Sequence, residues 1–241
     1  MEGNVTEYDN KKKEHVTKKQ VTNMKIKICG ITSEKEADYL NDNKVDFAGF
    51  VFYEKSKRNI TIDKARLIMN SLKSNIKKVA VMVSPTLDEV LKIEDAGFDI
   101  IQIHGELHEA ILDRTRKEVW CAINLSDKEY EEKIRWLNSL EPNQYAKITG
   151  IVIDSKNFGS GEVFDWQRNK DKLEGEAFKD KTFILAGGLN SDNVADAISI
   201  LHPDIVDVSS GVEGSHDKVG KDKRLIDDFV LAVRQTLRAT S

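Results

Sequence analysis

The sequence predicts an α/β protein of the (β/α)8 barrel class, folded as a single domain. Three observations carry this prediction: short apolar runs rich in β-branched residues recur eight times, helix-start patterns lie between them, and polar or glycine residues follow many of them. The runs start about 20 to 34 residues apart, which suits a strand followed by a crossover helix. Pattern alone does not distinguish an open doubly wound sheet from a closed barrel, but eight units in about 215 residues favour the barrel.

The predicted elements can be placed in order along the chain. The strands are 25–29, 46–52, 78–83, 99–103, 119–123, 148–153, 182–186 and 205–209. Helix starts are predicted at three capping-box patterns of the form Ser/Thr-x-x-Glu, which are 33–36, 86–89 and 126–129. The segment 127–147 is long for one helix, and Pro142 predicts that it divides into a helix and a loop.

The chain divides into two regions of different character. Residues 1–23 lack apolar periodicity and mix lysine with acidic residues, so we predict a disordered or loosely attached tail. A basic anchor for an acidic partner is the alternative interpretation of this segment. Residues 24–241 are predicted to form the catalytic barrel domain.

Composition argues against several classes of protein. The formal net charge is −4 and no run interleaves basic and aromatic residues, so a nucleic-acid binder is not expected. The longest apolar runs are far shorter than a membrane span, so we expect no membrane association. Two cysteines do not make a disulfide framework, and no apolar segment near the N-terminus resembles a secretory signal. These features predict a cytoplasmic protein.

The barrel prediction also locates the reacting face. Active sites of such barrels lie at the C-terminal ends of the strands, so the residues that end the predicted strands become site candidates. These are Cys29, the segment 52–53 with the loop to Arg58, His104, Asp154, the glycine pair 187–188 and the segment 209–211.

Glycines follow both of the last two predicted strands. Gly187 and Gly188 follow the seventh strand, and Ser210 and Gly211 follow the eighth. Barrels often bind phosphate with these two loops, because glycine lets backbone N–H groups approach an anion. We therefore predict a phosphate site there. The alternative is that the glycines only make tight turns.

Cys29 and Asp154 end the first and sixth predicted strands, so a closed barrel would place them around one mouth. A thiolate can take a proton from carbon, and a carboxylic acid can donate one to a leaving oxygen. Such a pair suits an isomerisation that moves protons. The alternatives are a buried small side chain for Cys29 and a helix or turn cap for Asp154.

Two further strand ends offer substrate-binding groups. His104 could polarise or orient a substrate, or it could cap its loop. Arg58 could hold an anionic group through its planar guanidinium, although by itself a solvated surface charge is the simpler interpretation. The five histidines are scattered along the chain, and no spacing of histidine and cysteine indicates a metal site.

Six segments of the sequence resemble the phosphoribosylanthranilate isomerase family of tryptophan biosynthesis. They occur in the family's order over residues 25–238: "KICGIT" (27–32), "GFVFYEKSKRNI" (49–60), "QIHGE" (102–106), "IDS" with "GSGEVFDW" (159–166), "AGGLNSDNV" (186–194) and "VDVSSGVE" (206–213). The sequence differs from the family pattern at Cys121 and Glu162, where lysines are common in the family. It implies a TIM barrel that carries out an Amadori rearrangement.

The resemblance also implies roles for residues of this sequence. Cys29 is the general base and Asp154 the general acid. Arg58 faces the anthranilate group, and the two glycine loops hold the phosphate. Asp207 is expected to position sugar hydroxyls, with a structural role as the alternative. The iminium of the opened substrate acts as an electron sink, so no cofactor or metal is expected.

Two other functions stay open from the sequence. A sibling phosphosugar isomerase of histidine biosynthesis runs the same rearrangement, but that family is expected to carry aspartate where this sequence has Cys29. A barrel that binds phosphate without catalysis is the third candidate, since fold alone does not establish function. The expected ligand in every case is a small phosphosugar, and the expected assembly is a monomer or homodimer.

Overall fold

The computed structural model describes residues 24–124, 127–154, 180–214 and 220–239. Eight strands form a closed barrel in chain order, and each strand pairs in parallel with the next. The strands are β1 Lys25–Cys29, β2 Phe47–Phe52, β3 Lys77–Val83, β4 Ile100–His104, β5 Glu118–Asn124, β6 Ile148–Asp154, β7 Thr182–Ala186 and β8 Ile205–Val208.

The pairing of β1 with β8 closes the barrel. This pairing confirms the predicted barrel class and excludes the open doubly wound sheet. Each predicted strand lies within one residue of its observed bounds. The predicted tail, residues 1–23, lies outside the described residues, so its separation from the barrel domain stays a prediction.

Helices follow the strands and cover the outside of the barrel. They are α1 Glu34–Asn43, α2 Ile62–Ser71, α3 Leu87–Asp95, α4 Glu109–Arg114, α5 Asp127–Ser139, α6 Pro142–Lys147, α7 Val194–Leu201 and α8 Lys223–Ala239, with a short 3-10 helix at Ser210–Val212 after β8. No helix among the described residues has both the length and the apolar character needed to cross a membrane.

Of the three predicted capping boxes, one is formed completely, one is formed in part, and one includes a residue outside the described ranges. The Thr86–Glu89 capping box is formed in both directions. Ser33 caps α1 through its side chain, but the Glu36 carboxylate turns to the backbone of Thr32 instead of closing the box. The third box includes Ser126, which lies outside the described residues. Pro142 begins the helix α6 and does not open a loop, because proline at a first helical position lacks only an N–H that would have no partner there.

Strand alternation divides the core into an inner and an outer layer. Ile26 and Ile28 of β1 pack toward the helices, and Cys29 belongs to a cluster inside the barrel. That inner cluster includes Phe47, Val79, Ile100, Trp120, Ile184 and Ile205. Because successive side chains of a strand point to opposite faces, every second residue of β1 faces the interior. The side chains that face inward at the strand ends are therefore presented to the barrel mouth.

Candidate active site

A cavity of about 810 Å³ lies at the C-terminal ends of the strands. Arg58, His104 and Asp154 line it together with Tyr53, Asn124 and Lys133. Its volume is within the range of about 300–1,000 Å³ that is typical of small-molecule sites. The structure thus brings three of the predicted site residues, from the loop after β2, from β4 and from β6, to one cavity.

Cys29 lies at the end of β1 and is only 9 % exposed. It pairs in register with Gly49 of β2, and a Cβ atom added to Gly49 would lie 2.9 Å from the Cys29 sulfur. Glycine at position 49 therefore leaves the space that the thiol occupies. Burial raises the pKa of the Cys29 thiol, while the positive charges of Lys27 and Lys221 act in the opposite direction.

Beneath the thiol lies a buried ion pair. The Lys27 ammonium is 2.6 Å from a carboxylate oxygen of Asp207, and the Lys27 side chain has no exposed surface. Lys27 and Asp207 are neighbours in the parallel register of β1 and β8. The family resemblance assigns Asp207 to the sugar hydroxyls. In the structure, one oxygen of its carboxylate accepts a hydrogen bond from the Lys27 ammonium.

Lys27 is a site residue that sequence reasoning missed. The signal was present as two opposite charges near strand ends, Lys27 two residues before the end of β1 and Asp207 one residue before the end of β8. That signal has meaning only when the first and last strands pair, because only closure places Lys27 and Asp207 side by side.

Asp154 and His104 act on each other electrostatically at the cavity. Asp154 ends β6 and pairs in register with Asn124 of β5 and Ala186 of β7. Burial lowers the pKa of His104, with the negative charge of Asp154 opposing and the positive charge of Lys27 adding to this effect. The ring nitrogen Nε2 of His104 is 2.8 Å from the side-chain nitrogen of Gln102, which orients the ring. At neutral pH His104 is therefore an uncharged hydrogen-bonding group.

Arg58 is joined to Glu213 through two nitrogens. Its Nε contacts one carboxylate oxygen of Glu213, and its Nη2 lies 2.9 Å from the other. Lys57 and Lys221 each lie 3.0 Å from the same carboxylate. Burial disfavours the Glu213 charge, but the hydrogen bonds from Arg58 and Lys221 outweigh burial and lower the pKa of Glu213 to about 2. The Arg58 side chain is 21 % exposed, so a freely solvated surface charge is the wrong interpretation.

Gly30 makes room for this arginine. Its φ of +82° is in the left-handed region, and an added Cβ would lie 2.4 Å from Cδ of Arg58. The Arg58 side chain therefore crosses directly over the end of β1, beside Cys29. Sequence reasoning found Arg58 but missed Glu213, which binds it from the loop after β8, and Lys221, which binds the same Glu213 carboxylate.

The two predicted phosphate loops touch one another. Gly187 and Gly188 both have positive φ, at 89° and 67°. A Cβ atom on Gly211 would lie 2.0 Å from the backbone oxygen of Leu189, so only glycine allows this contact between the loops. Within the described ranges, no residue accepts a hydrogen bond from the backbone N–H of Gly188, Ser210 or Gly211. These backbone N–H groups can therefore donate hydrogen bonds to a bound anion.

Of the two departures from the family pattern, Cys121 and Glu162, the structure describes only Cys121. Cys121 faces the helices and is fully buried, and burial raises its pKa to about 11. Glu162 lies outside the described residues. Among the residues that the structure describes, no group of three or more histidine, cysteine, aspartate or glutamate side chains has a metal-binding arrangement.

Comparisons with known proteins agree with this geometry. The sequence profile of the family described as N-(5'phosphoribosyl)anthranilate (PRA) isomerase matches residues 26–232. N-(5'-phosphoribosyl)anthranilate isomerase of Clostridium kluyveri is 36% identical over 214 residues, which cover 88% of this chain and 98% of the relative. The protein of that name from Thermoanaerobacter pseudethanolicus is 36% identical over 217 residues, with the same coverage of both chains.

Solved structures give the same result. The crystal structure of phosphoribosyl anthranilate isomerase from Thermotoga maritima superposes with a TM-score of 0.72 at 32% identity, covering 88% of this chain and 99% of that one. A phosphoribosyl anthranilate isomerase in complex with reduced 1-(o-carboxyphenylamino)-1-deoxyribulose 5-phosphate superposes with a TM-score of 0.72 at 31% identity and the same coverage. The profile match, the identity over most of the chain and the shared barrel show that this chain belongs to the N-(5'-phosphoribosyl)anthranilate isomerase family.

Proposed function

We propose that the chain is the isomerase that converts N-(5'-phosphoribosyl)anthranilate to 1-(2-carboxyphenylamino)-1-deoxyribulose 5-phosphate by an Amadori rearrangement in tryptophan biosynthesis. One observation carries the proposal: a carboxyl group and a thiol end β6 and β1 of one barrel, on either side of the two glycine loops. A family relative in complex with a reduced form of this product supports the choice of substrate.

Asp154 is the proposed general acid. It lines the cavity at the end of β6, where it can protonate the ring oxygen of the substrate ribose. Protonation makes this oxygen a good leaving group, so the ring opens to an iminium conjugated with the aromatic amine. The neutral imidazole of His104 neighbours Asp154 and offers the opened sugar a hydrogen bond without adding charge.

Cys29 is the proposed general base. Its thiolate removes the proton from C2 of the opened sugar, and the electron pair of that C–H bond moves toward the iminium nitrogen. The product of this step is an enolamine, which tautomerises to the ketone. The substrate nitrogen takes up the electrons, so the chain's own residues have only protons to move.

The remaining site residues are proposed to bind the substrate. The N–H groups of Gly188, Ser210 and Gly211, with Gly187 shaping the first loop, hold the phosphate. Arg58 faces the carboxylate of the anthranilate group through Nη1, since its Nε and Nη2 are engaged by Glu213. Asp207 has one carboxylate oxygen on Lys27, so only its other oxygen is available to a sugar hydroxyl.

One assay tests this function and separates it from the alternatives. Purified full-length protein should consume phosphoribosylanthranilate, measured as loss of the substrate's fluorescence, without added metal. Absence of turnover above the blank would contradict the proposal. Turnover of the aminoaldose of histidine biosynthesis alone would favour the sibling isomerase, and binding without turnover of either substrate would favour a non-catalytic barrel.

The organisation of the protein is also part of the proposal. We propose a cytoplasmic monomer or homodimer in which residues 24–241 are the catalytic domain and residues 1–23 a dispensable tail. A structure from Thermotoga maritima is described as monomers generated from a dimeric enzyme of this name. A variant that begins at Met24 should keep full activity, and light scattering of the full chain will give its mass in solution.

A further inference from the structure

One ammonium group lies between two acids inside the barrel. Lys27 and Cys29 are two residues apart on β1 and face the interior, and Asp207 faces it from β8. The Lys27 ammonium is 2.6 Å from Oδ2 of Asp207, and its positive charge also favours the ionised form of the Cys29 thiol, two residues along the same strand. All three side chains are buried, so no bulk water competes for the charge.

Among the residues that the structure describes, few other charges act on this cluster. The groups that act on it from the neighbouring elements are Lys221 after β8, Asp154 on β6 and His104 on β4. Gly49 is the neighbour of Cys29 on β2 and carries no charge. Lys221 is committed to Glu213 and to the backbone oxygen of Ser209, at 3.0 and 3.1 Å. Among the described residues, Lys27 is therefore the cation that acts most strongly on both acids.

Among the described residues, only Lys27 donates a hydrogen bond to the Asp207 carboxylate. Its second oxygen, Oδ1, is buried and has no hydrogen-bond partner among the described residues. A buried carboxylate with a single partner is poorly stabilised, so the cost of protonating it is small. An ionised thiol at Cys29 would compete with it for the same ammonium.

We infer that Lys27 and Asp207 are positioning residues for Cys29, which shares one proton with Asp207 through the Lys27 ammonium. In the resting form the proton is on sulfur, and Lys27 pairs with the Asp207 carboxylate. In the reactive form Lys27 gives one of its protons to Asp207, and the amine left behind takes the proton of the Cys29 thiol, so that Lys27 is again an ammonium. Sulfur is then an anion paired with Lys27, Asp207 is neutral, and the net charge of the three groups is unchanged. This inference depends on the proposed function only for the role of Cys29 as base.

The arrangement predicts opposite effects of two substitutions on the Cys29 thiol. Asp207→Asn removes the competing acid, so it should lower the pKa of Cys29 by about one unit or more. Lys27→Met removes the counter-ion, so it should raise this pKa. The double variant avoids an unpaired buried carboxylate, and its thiol pKa should lie above that of Asp207→Asn. A merely structural ion pair would change stability in all three variants without these opposite shifts.

The experiment measures the rate of alkylation by iodoacetamide against pH in a Cys121→Ser background, so that Cys29 alone reports. Lys25→Met is the matched control, because Lys25 lies on the same strand but is exposed at its start; it should leave the profile unchanged. If Asp207→Asn leaves the thiol pKa unchanged or raises it, the inference is wrong, even where Lys27→Met fails to fold. Alkylation needs no substrate, so failure of the isomerase assay and failure of this inference are distinguishable.

Discussion

Arg58 and Glu213 form a forked ion pair that joins the loop after β2 to the loop after β8 across the end of β1. Lys221 contacts the same carboxylate through its ammonium, and its backbone N–H donates to Glu36 of α1 at 2.9 Å. The loops around β1 are thus tied together by buried charge. This arrangement places the guanidinium on the rim of the cavity before any substrate arrives.

Glu213→Gln should lower stability and remove a pH dependence. The folded-state pKa of Glu213 is about 2, below its ordinary value of 4.5, so its stabilisation is present above pH 4.5 and is lost as pH falls toward 2. For the unchanged protein we expect a loss of about 2 kcal/mol from this group between pH 6 and 3. Urea unfolding across this range should show the loss in the unchanged protein and a smaller one in Glu213→Gln. Equal pH dependence in the two would contradict the assignment.

Cys29→Ser and Asp154→Asn should each lower kcat by about 10²–10⁴, the usual contribution of a positioned base or acid. Both variants should keep their affinity for inorganic phosphate, because neither residue lies in the phosphate loops. Cys121→Ser is the matched control for the thiol, since Cys121 is buried against the helices, and it should be nearly silent. Near-full activity in either of the first two variants would show that the roles are wrongly assigned.

Gly211→Ala should weaken phosphate binding. The new Cβ would meet the Leu189 backbone oxygen at 2.0 Å, and backbone cannot rotate away as a side chain can. The two phosphate loops must therefore separate, which should raise KM and the inhibition constant for inorganic phosphate. Gly214→Ala is the control, because a Cβ there meets nothing within 4 Å. Unchanged phosphate inhibition in Gly211→Ala would argue that the phosphate binds elsewhere.

Gly30→Ala should displace Arg58 and raise KM. Gly97→Ala provides a matched control, since Gly30 and Gly97 have φ of +82° and +94° but an added Cβ on Gly97 has open space. Both substitutions should lower the free energy of unfolding by about 1–2 kcal/mol from backbone strain, measurable by urea denaturation. Only Gly30→Ala should alter KM, because only its Cβ reaches the Arg58 side chain. Equal KM values in the two variants would place Arg58 outside the binding site.

Much of the fold and part of the site could be predicted from sequence patterns. Local signals were sufficient for the strands, since apolar runs and the residues that end them are read directly from the chain. Because the active sites of such barrels lie at the C-terminal ends of the strands, residues that end strands, such as Cys29, His104 and Asp154, were predicted as site candidates. His104 and Asp154 line one cavity in the structure, and Cys29 lies buried at the end of β1.

Local patterns were less reliable where a side chain had competing partners. Glu36 matches a capping box, yet its carboxylate binds the backbone N–H groups of Thr32 and Lys221. Arg58 looked like a surface charge by itself, because its partner Glu213 is 155 residues away. Pro142 indicated a break but not that a new helix begins there.

The order and alternation of residues along the chain were enough to favour the barrel class and to predict the residues that end each strand. These properties depend on neighbours in sequence and on the two-residue period of a strand. Barrel closure alone decided which charges meet. Lys27 and Asp207 are 180 residues apart, and their 2.6 Å contact exists because β1 pairs with β8. Electrostatic energy depends on distance in space and on burial, neither of which is encoded by position in the chain.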